Sequence, residues 1–203
     1  MNDRIIYTES FASPEVDRRE VLRYAGVRQF DDFSDELLDK CIFESKDKLQ
    51  YKACFRVFDI EFCNGVIDLG FAKVRSASLT KRLDGCEKIV IFCATIGSDF
   101  DRLIAKYNIL SPATAVMLQA LGSERVEALC DVLCERISND ATKKGYSCKA
   151  RFSPGYGDLP LDLQCEIFDA LDCTRKIGVT LNEALFMKPT KSVTAIVGLK
   201  NVK

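Results

Sequence analysis

The chain contains no histidine, which removes the side chain most used for zinc ligation, for activating a serine or cysteine nucleophile and for moving protons near neutral pH. It also lacks an excess of either charge, with 29 Lys and Arg against 30 Asp and Glu, so neither nucleic acid nor an anionic membrane surface is expected as a bulk partner. No apolar run reaches the roughly 18 residues of a membrane span, and the polar start Met1-Asn2-Asp3-Arg4 lacks the form of a secretory signal. A cytoplasmic protein is expected. No Cys-x-x-Cys occurs among the 10 cysteines, most of which sit inside apolar patterns and read as reduced core thiols. Cys130 and Cys134, at helical i,i+4 spacing, would leave a tetrahedral metal site half built, so no metal is expected. The sequence also lacks a repeat, a low-complexity run and a Gly/Ser/Pro-rich linker, and its hydrophobic content of 47% is ample for a core. One domain spanning 1–203 follows.

What is present predicts an α+β fold, with a central mixed or largely antiparallel sheet packed by helices. Asp17-Arg18-Arg19-Glu20 has the form of a capping box opening a short helix that stops at Gly26, and Ser34 is placed to cap a second. Tyr51 to Phe62 alternates with period two. Ala53, Phe55 and Val57 fall on one face and Phe58, Ile60 and Phe62 on the other, which predicts a strand covered on both sides. Asn64-Gly65 predicts a hairpin turn returning through Val66 to Leu69. Lys88 to Gly97 is the strongest buried-strand signal and is expected at the sheet centre. Ser98-Asp99-Phe100-Asp101 resembles another capping box, and the glycine before it matches neither G-x-G-x-x-G nor the P-loop. Ser111-Pro112 starts the longest element, a helix over about 112–138. Its stripe of Ala120, Ser123, Glu127, Cys130 and Cys134 places one carboxylate among small residues, where it needs a neighbouring Lys or Arg, or a ligand amine. Asp158 and Pro160 are expected to open a helix through Leu171 toward Gly178, and Ser192 to Gly198 a last strand.

The least ordinary stretch is Arg151-Phe152-Ser153-Pro154-Gly155-Tyr156-Gly157-Asp158. Two glycines around a proline and a phenol suit a shaped loop in which backbone approaches a ligand, and Arg151 offers a planar fork for a carboxylate or phosphate.

Arg151-x-Ser153-Pro154-Gly155-Tyr156, followed by Ile177-Gly178-Val179-Thr180-Leu181-Asn182-Glu183, Met187-x-Pro189 and Lys191-Ser192-Val193, resembles the activation domain of cobalamin-dependent methionine synthase. The helix from Glu127 to Ile137 is similar too, and the likeness covers about residues 90–199. The resemblance implies S-adenosylmethionine as ligand, with Arg151, the Ser153 backbone, Gly155 and Tyr156 forming the loop around it and Glu127 meeting it from the helix. It implies no catalytic side chain and no corrin of the chain's own. Cobalamin would be met only through a partner synthase lacking its own activation domain, rescued from cob(II)alamin with one electron from a flavodoxin-like or other donor. The sequence departs from the family at Ser153 and at Gly157-Asp158-Leu159, and an aromatic contact that the family draws from a longer C-terminal extension is expected to be missing here or supplied by another chain. Two other expectations are left open: a docking or chaperone protein for a corrinoid enzyme without ligand binding of its own, and, ranked lower because no Gly-rich nucleotide loop occurs, a methyltransferase on another substrate.

Overall fold

The computed structural model describes residues 5–28 and 31–202, so the polar start Met1–Arg4 lies outside the described residues. In chain order the elements are β1 (Tyr7–Ser10), α1 (Arg18–Tyr24), α2 (Asp32–Ser45), β2 (Lys52–Asp59), β3 (Glu61–Cys63), β4 (Val66–Asp68), β5 (Lys73–Val74) and α3 (Ala77–Arg82). They continue with β6 (Cys86–Thr95), α4 (Ser98–Leu110), α5 (Pro112–Thr142), β7 (Tyr146–Cys148), α6 (Leu163–Leu171), α7 (Cys173–Ile177), β8 (Thr180–Leu181), β9 (Met187–Lys188) and β10 (Ser192–Asn201).

Alternation along three long strands decides the architecture. The main sheet runs β1-β2-β6-β10-β7 with every pair antiparallel, and β6 takes the centre. On β6, Val90, Phe92 and Ala94 face one core with Ala53, Phe55 and Val57 of β2 and Ala195 and Val197 of β10. Ile89, Ile91 and Cys93 face a second core with Cys54, Phe58 and Ile196. Because successive strand side chains point to opposite faces, two apolar faces require two covers. Helices α1, α2, α4 and α5 close the first core, and α3, α6, α7 and the small β3-β4-β5 sheet close the second.

The hairpin at Asn64-Gly65 forms with φ of 50° and 73°, as a two-residue turn requires, but it joins β3 to β4 in a separate small sheet. The predicted strand from Tyr51 to Phe62 therefore breaks after Asp59. Ile60 stays in the second core, whereas Phe62 is exposed.

Three helix starts differ from their expected form. Asp17 caps α1 by accepting from the Glu20 backbone N–H, but its own N–H is taken by Glu124 rather than Glu20. For α2 the cap is Asp31, with Ser34 as the reciprocal partner three residues on. The cap of α4 is Gly97 at φ 91°, because Asp101 is engaged by the backbone N–H and hydroxyl of Thr190, both at 2.7 Å. Ser111 caps α5 as expected, with Pro112 at the first helical position. This helix runs to Thr142, one turn past the expected end, because Ile137 and Ala141 still face the core. A Cβ added at Gly122 would lie 2.5 Å from Phe100 Cε1, so glycine is what lets α4 pack against α5 so closely.

Candidate functional site

The site is assembled where the chain leaves β7 and runs beside β10. The Lys149 N–H donates to the Gly198 carbonyl at 2.8 Å, and Phe152 and Ile196 exchange both backbone hydrogen bonds at 2.9 Å. That ladder holds Arg151 against α5. Its Nη2 donates to Glu127 Oε2 and its Nη1 to Asp131 Oδ1, each at 2.5 Å. Glu127 and Asp131 stand one helical turn apart, so both carboxylates reach the same guanidinium. The stripe carboxylate thus finds an arginine. Burial works against the Arg151 charge, but its hydrogen bonds to Asp131 and Glu127 and the charge of Asp131 help hold its pKa above the ordinary value. Burial pushes the neighbouring Cys130 thiol up, and Arg151 only partly offsets it.

After Arg151 the loop turns tightly. Gly155 and Gly157 take φ of 87° and 57°, where a side chain would be strained. A Cβ at Gly157 would also stand 2.6 Å from Ser78 Oγ, so the loop rests directly on the start of α3. Asp158 fixes it there. Its carboxylate accepts from Ser76 Oγ at 2.6 Å and from the N–H groups of Ala77 and Ser78 at 2.6 and 3.0 Å. Those donors hold its pKa well below the usual carboxylate range, the Ser76 hydroxyl most of all. Asp158 therefore supports the start of α3, whose N-cap is Ser76, and not the helix that follows it. This corrects the expected helix from Asp158, because α6 begins only at Leu163 and a left-handed Asp172, φ 50°, divides it from α7.

Between this loop, α5 and β10 lies a cavity of about 410 Å³. Glu127, Arg151, Ser153 and Tyr156 line it. Gly155 is not among the lining residues; it shapes the turn between Pro154 and Tyr156, its N–H donating to the Leu159 carbonyl at 2.9 Å. The motif residues Met187, Ser192 and Val193 line it as well. Sequence reasoning missed three further residues. Asp131 was findable as the acidic residue one turn after Glu127. Arg82, at the end of α3, stacks its guanidinium 5.7 Å from the Phe152 ring centre and reaches the cavity only through the fold. Gln164, 5% exposed, lines the cavity from the first turn of α6, and its Oε1 is buried with no donor within reach. One turn before Glu127, Ser123 accepts from Lys191 Nζ at 3.0 Å. Burial lowers the Lys191 pKa despite the nearby Asp101.

A larger apolar cavity of about 670 Å³ lies between α2 and the segment after β1. The charged group at its floor is already engaged. Arg125, fully buried, donates to both Glu124 oxygens at 2.5 Å and to the carbonyls of Pro14 and Glu15 at 2.7 and 2.6 Å. Among the described residues no group of three or more Cys, Asp or Glu is arranged to hold a metal ion, and no helix is long and apolar enough to cross a membrane.

Among solved structures, the crystal structure of the MetH reactivation domain bound to AdoHcy is similar over 95% of this chain and 78% of that one, with a TM-score of 0.70 at 15% identity. At that identity the likeness establishes the fold. No curated protein matches the chain. The family model described as vitamin B12 dependent methionine synthase, activation domain, matches residues 79–201, from α3 through β10 and across the whole Arg151 site, and the chain belongs to that family.

Proposed function

We propose that this chain binds S-adenosylmethionine in the Arg151 cavity and presents it to a cobalamin-dependent methionine synthase for reactivation. The observation that carries the reading is the guanidinium of Arg151 held by two carboxylates at the wall of a cavity of about 410 Å³, within this family. The similar MetH structure was determined with AdoHcy, which differs from S-adenosylmethionine by the transferred methyl group.

The residues suit such a ligand. A guanidinium carries five N–H donors, and the Arg151 bonds to Glu127 and Asp131 leave others for the ligand carboxylate. Glu127 is the acceptor for the ligand ammonium. Arg151 with its two carboxylates leaves one net negative charge, matching a ligand whose sulfonium and ammonium outnumber its carboxylate. Tyr156, 67% exposed, lines the cavity and offers an apolar rim on which the synthase would rest. When bound, S-adenosylmethionine supplies an electrophilic methyl group to the partner's cobalt, reduced by one electron from a flavodoxin-like or other donor. This transfer needs no general base, in keeping with a chain that contains no histidine. The work of the protein is positioning.

The test uses a synthase whose own activation domain has been removed, held as cob(II)alamin. With a reductant and S-adenosylmethionine, the methylcobalamin absorption spectrum should return only when this chain is added. Recovery at the same rate without it, or with Arg151→Ala and Glu127→Ala combined, would reject the reading in favour of a docking protein.

A further inference from the structure

Among the described residues, Gln164 Oε1 is the buried side-chain oxygen that no donor satisfies. Native proteins rarely keep such an acceptor without a role, because its lost hydration is not repaid. Gln164 is 95% buried by its 5% exposure, and it lines the cavity that Arg151 and Glu127 line. The last torsion of a glutamine is soft, so rotation of the amide can present Oε1 to the cavity that Gln164 lines.

We propose that Gln164 reads the base of the ligand, accepting a hydrogen bond from the exocyclic amine of adenine. This rests on the cavity being an S-adenosyl site. The donor follows from the surroundings. The ligand ammonium is matched by Glu127, whereas a neutral amide oxygen suits a neutral amine. The cavity walls include Phe152, Pro154, Tyr156, Met187 and Val193, flat or apolar surfaces that take a ring. The Phe152 and Tyr156 rings lie 6.5 Å apart at an angle of 53°. A glutamine amide against the amine edge of adenine is a recurrent pairing in base recognition.

The consequence is selectivity for adenine over hypoxanthine, whose carbonyl oxygen meets acceptor against acceptor where the amide presents Oε1 rather than its NH2. A site built around a hydrogen bond rejects the analogue lacking the donor more strongly than an apolar wall can. The experiment is calorimetric titration of the whole chain with S-adenosylhomocysteine and its deaminated analogue S-inosylhomocysteine. The unaltered protein should prefer the adenine form by about 10-fold or more. Gln164→Met, of similar shape and without the acceptor, should bring the two within about 2-fold, and Gln164→Glu, which keeps an acceptor, should retain the preference. Arg151→Ala should weaken both ligands together and leave their ratio unchanged. Because Gln164→Met removes an orphan acceptor, it should resist urea at least as well as the parent. Binding of both compounds equally by the unaltered protein overturns base reading while the S-adenosyl site stands, and so does an unchanged ratio in Gln164→Met. Binding of neither compound removes the S-adenosyl reading itself and this inference with it.

Discussion

Replacing Arg151 by alanine should weaken S-adenosylmethionine binding by about 2–3 kcal/mol, roughly 30- to 150-fold. The magnitude comes from one charge-assisted hydrogen bond to the ligand carboxylate, worth about 1.5–3 kcal/mol. The upper part of that range is expected, because truncation also leaves Glu127 and Asp131 without their shared cation beside the incoming carboxylate. The fold should survive. The Arg151 side chain is 26% exposed and its partners 44% and 71%, so each pair is close to a surface salt bridge and contributes up to about 1 kcal/mol. The backbone bonds between Phe152 and Ile196 hold the loop without the side chain. Arg151→Lys should fall between the two, about 5- to 20-fold weaker than the parent, because one ammonium cannot span two carboxylates and a ligand in the geometry of a planar fork. Calorimetry measures the dissociation constants and urea unfolding verifies the fold. A dissociation constant within about 3-fold of the parent for folded Arg151→Ala would refute the assignment. The guanidinium would then serve to tie the loop to α5, and the ligand carboxylate would belong elsewhere.

Three further outcomes are expected. Arg125→Met should cost about 3–5 kcal/mol by urea unfolding, because it strands the buried Glu124 carboxylate and frees the segment around Pro14 and Glu15; a loss below about 1 kcal/mol contradicts this account. Asp158→Asn should destabilise the protein at neutral pH and the gap should close in acid. The folded pKa of Asp158 lies below that of the unfolded chain, so its contribution is full above about pH 3.9 and is lost as pH falls through the lower folded value; a gap that widens in acid rejects its role at the start of α3. Thiol titration of the native protein should find fast reaction at the exposed Cys63 and Cys165 and slow reaction at the buried cysteines, among them Cys41, pushed up to about 11 by burial first of all; more than about four fast thiols would show an open core.

The sequence by itself determined the features whose causes lie within a few residues. The alternation of Val90, Phe92 and Ala94 with Ile89, Ile91 and Cys93 specified a strand buried on both faces, and such a strand can only lie inside a sheet. Ser111-Pro112 specified a helix start and Asn64-Gly65 a hairpin, because caps and turns are satisfied by neighbouring backbone. The turn after Arg151 was legible in the same way, since Gly155 and Gly157 take the backbone conformations that glycine permits. Tertiary structure decided where each charge and polar group is spent. Asp158 has the form of a local helix opener, but its donors lie 80 to 82 residues away at the start of α3. Glu127 left its partner open until the fold brought Arg151 across a gap of 24 residues. Arg125 reaches back 110 and 111 residues to hold the chain before α1. Short-range periodicity records which side of an element is buried, because that depends on the element's own geometry. A hydrogen bond or ion pair is instead chosen among all the segments that packing brings within about 3 Å, and no window along the chain contains that choice.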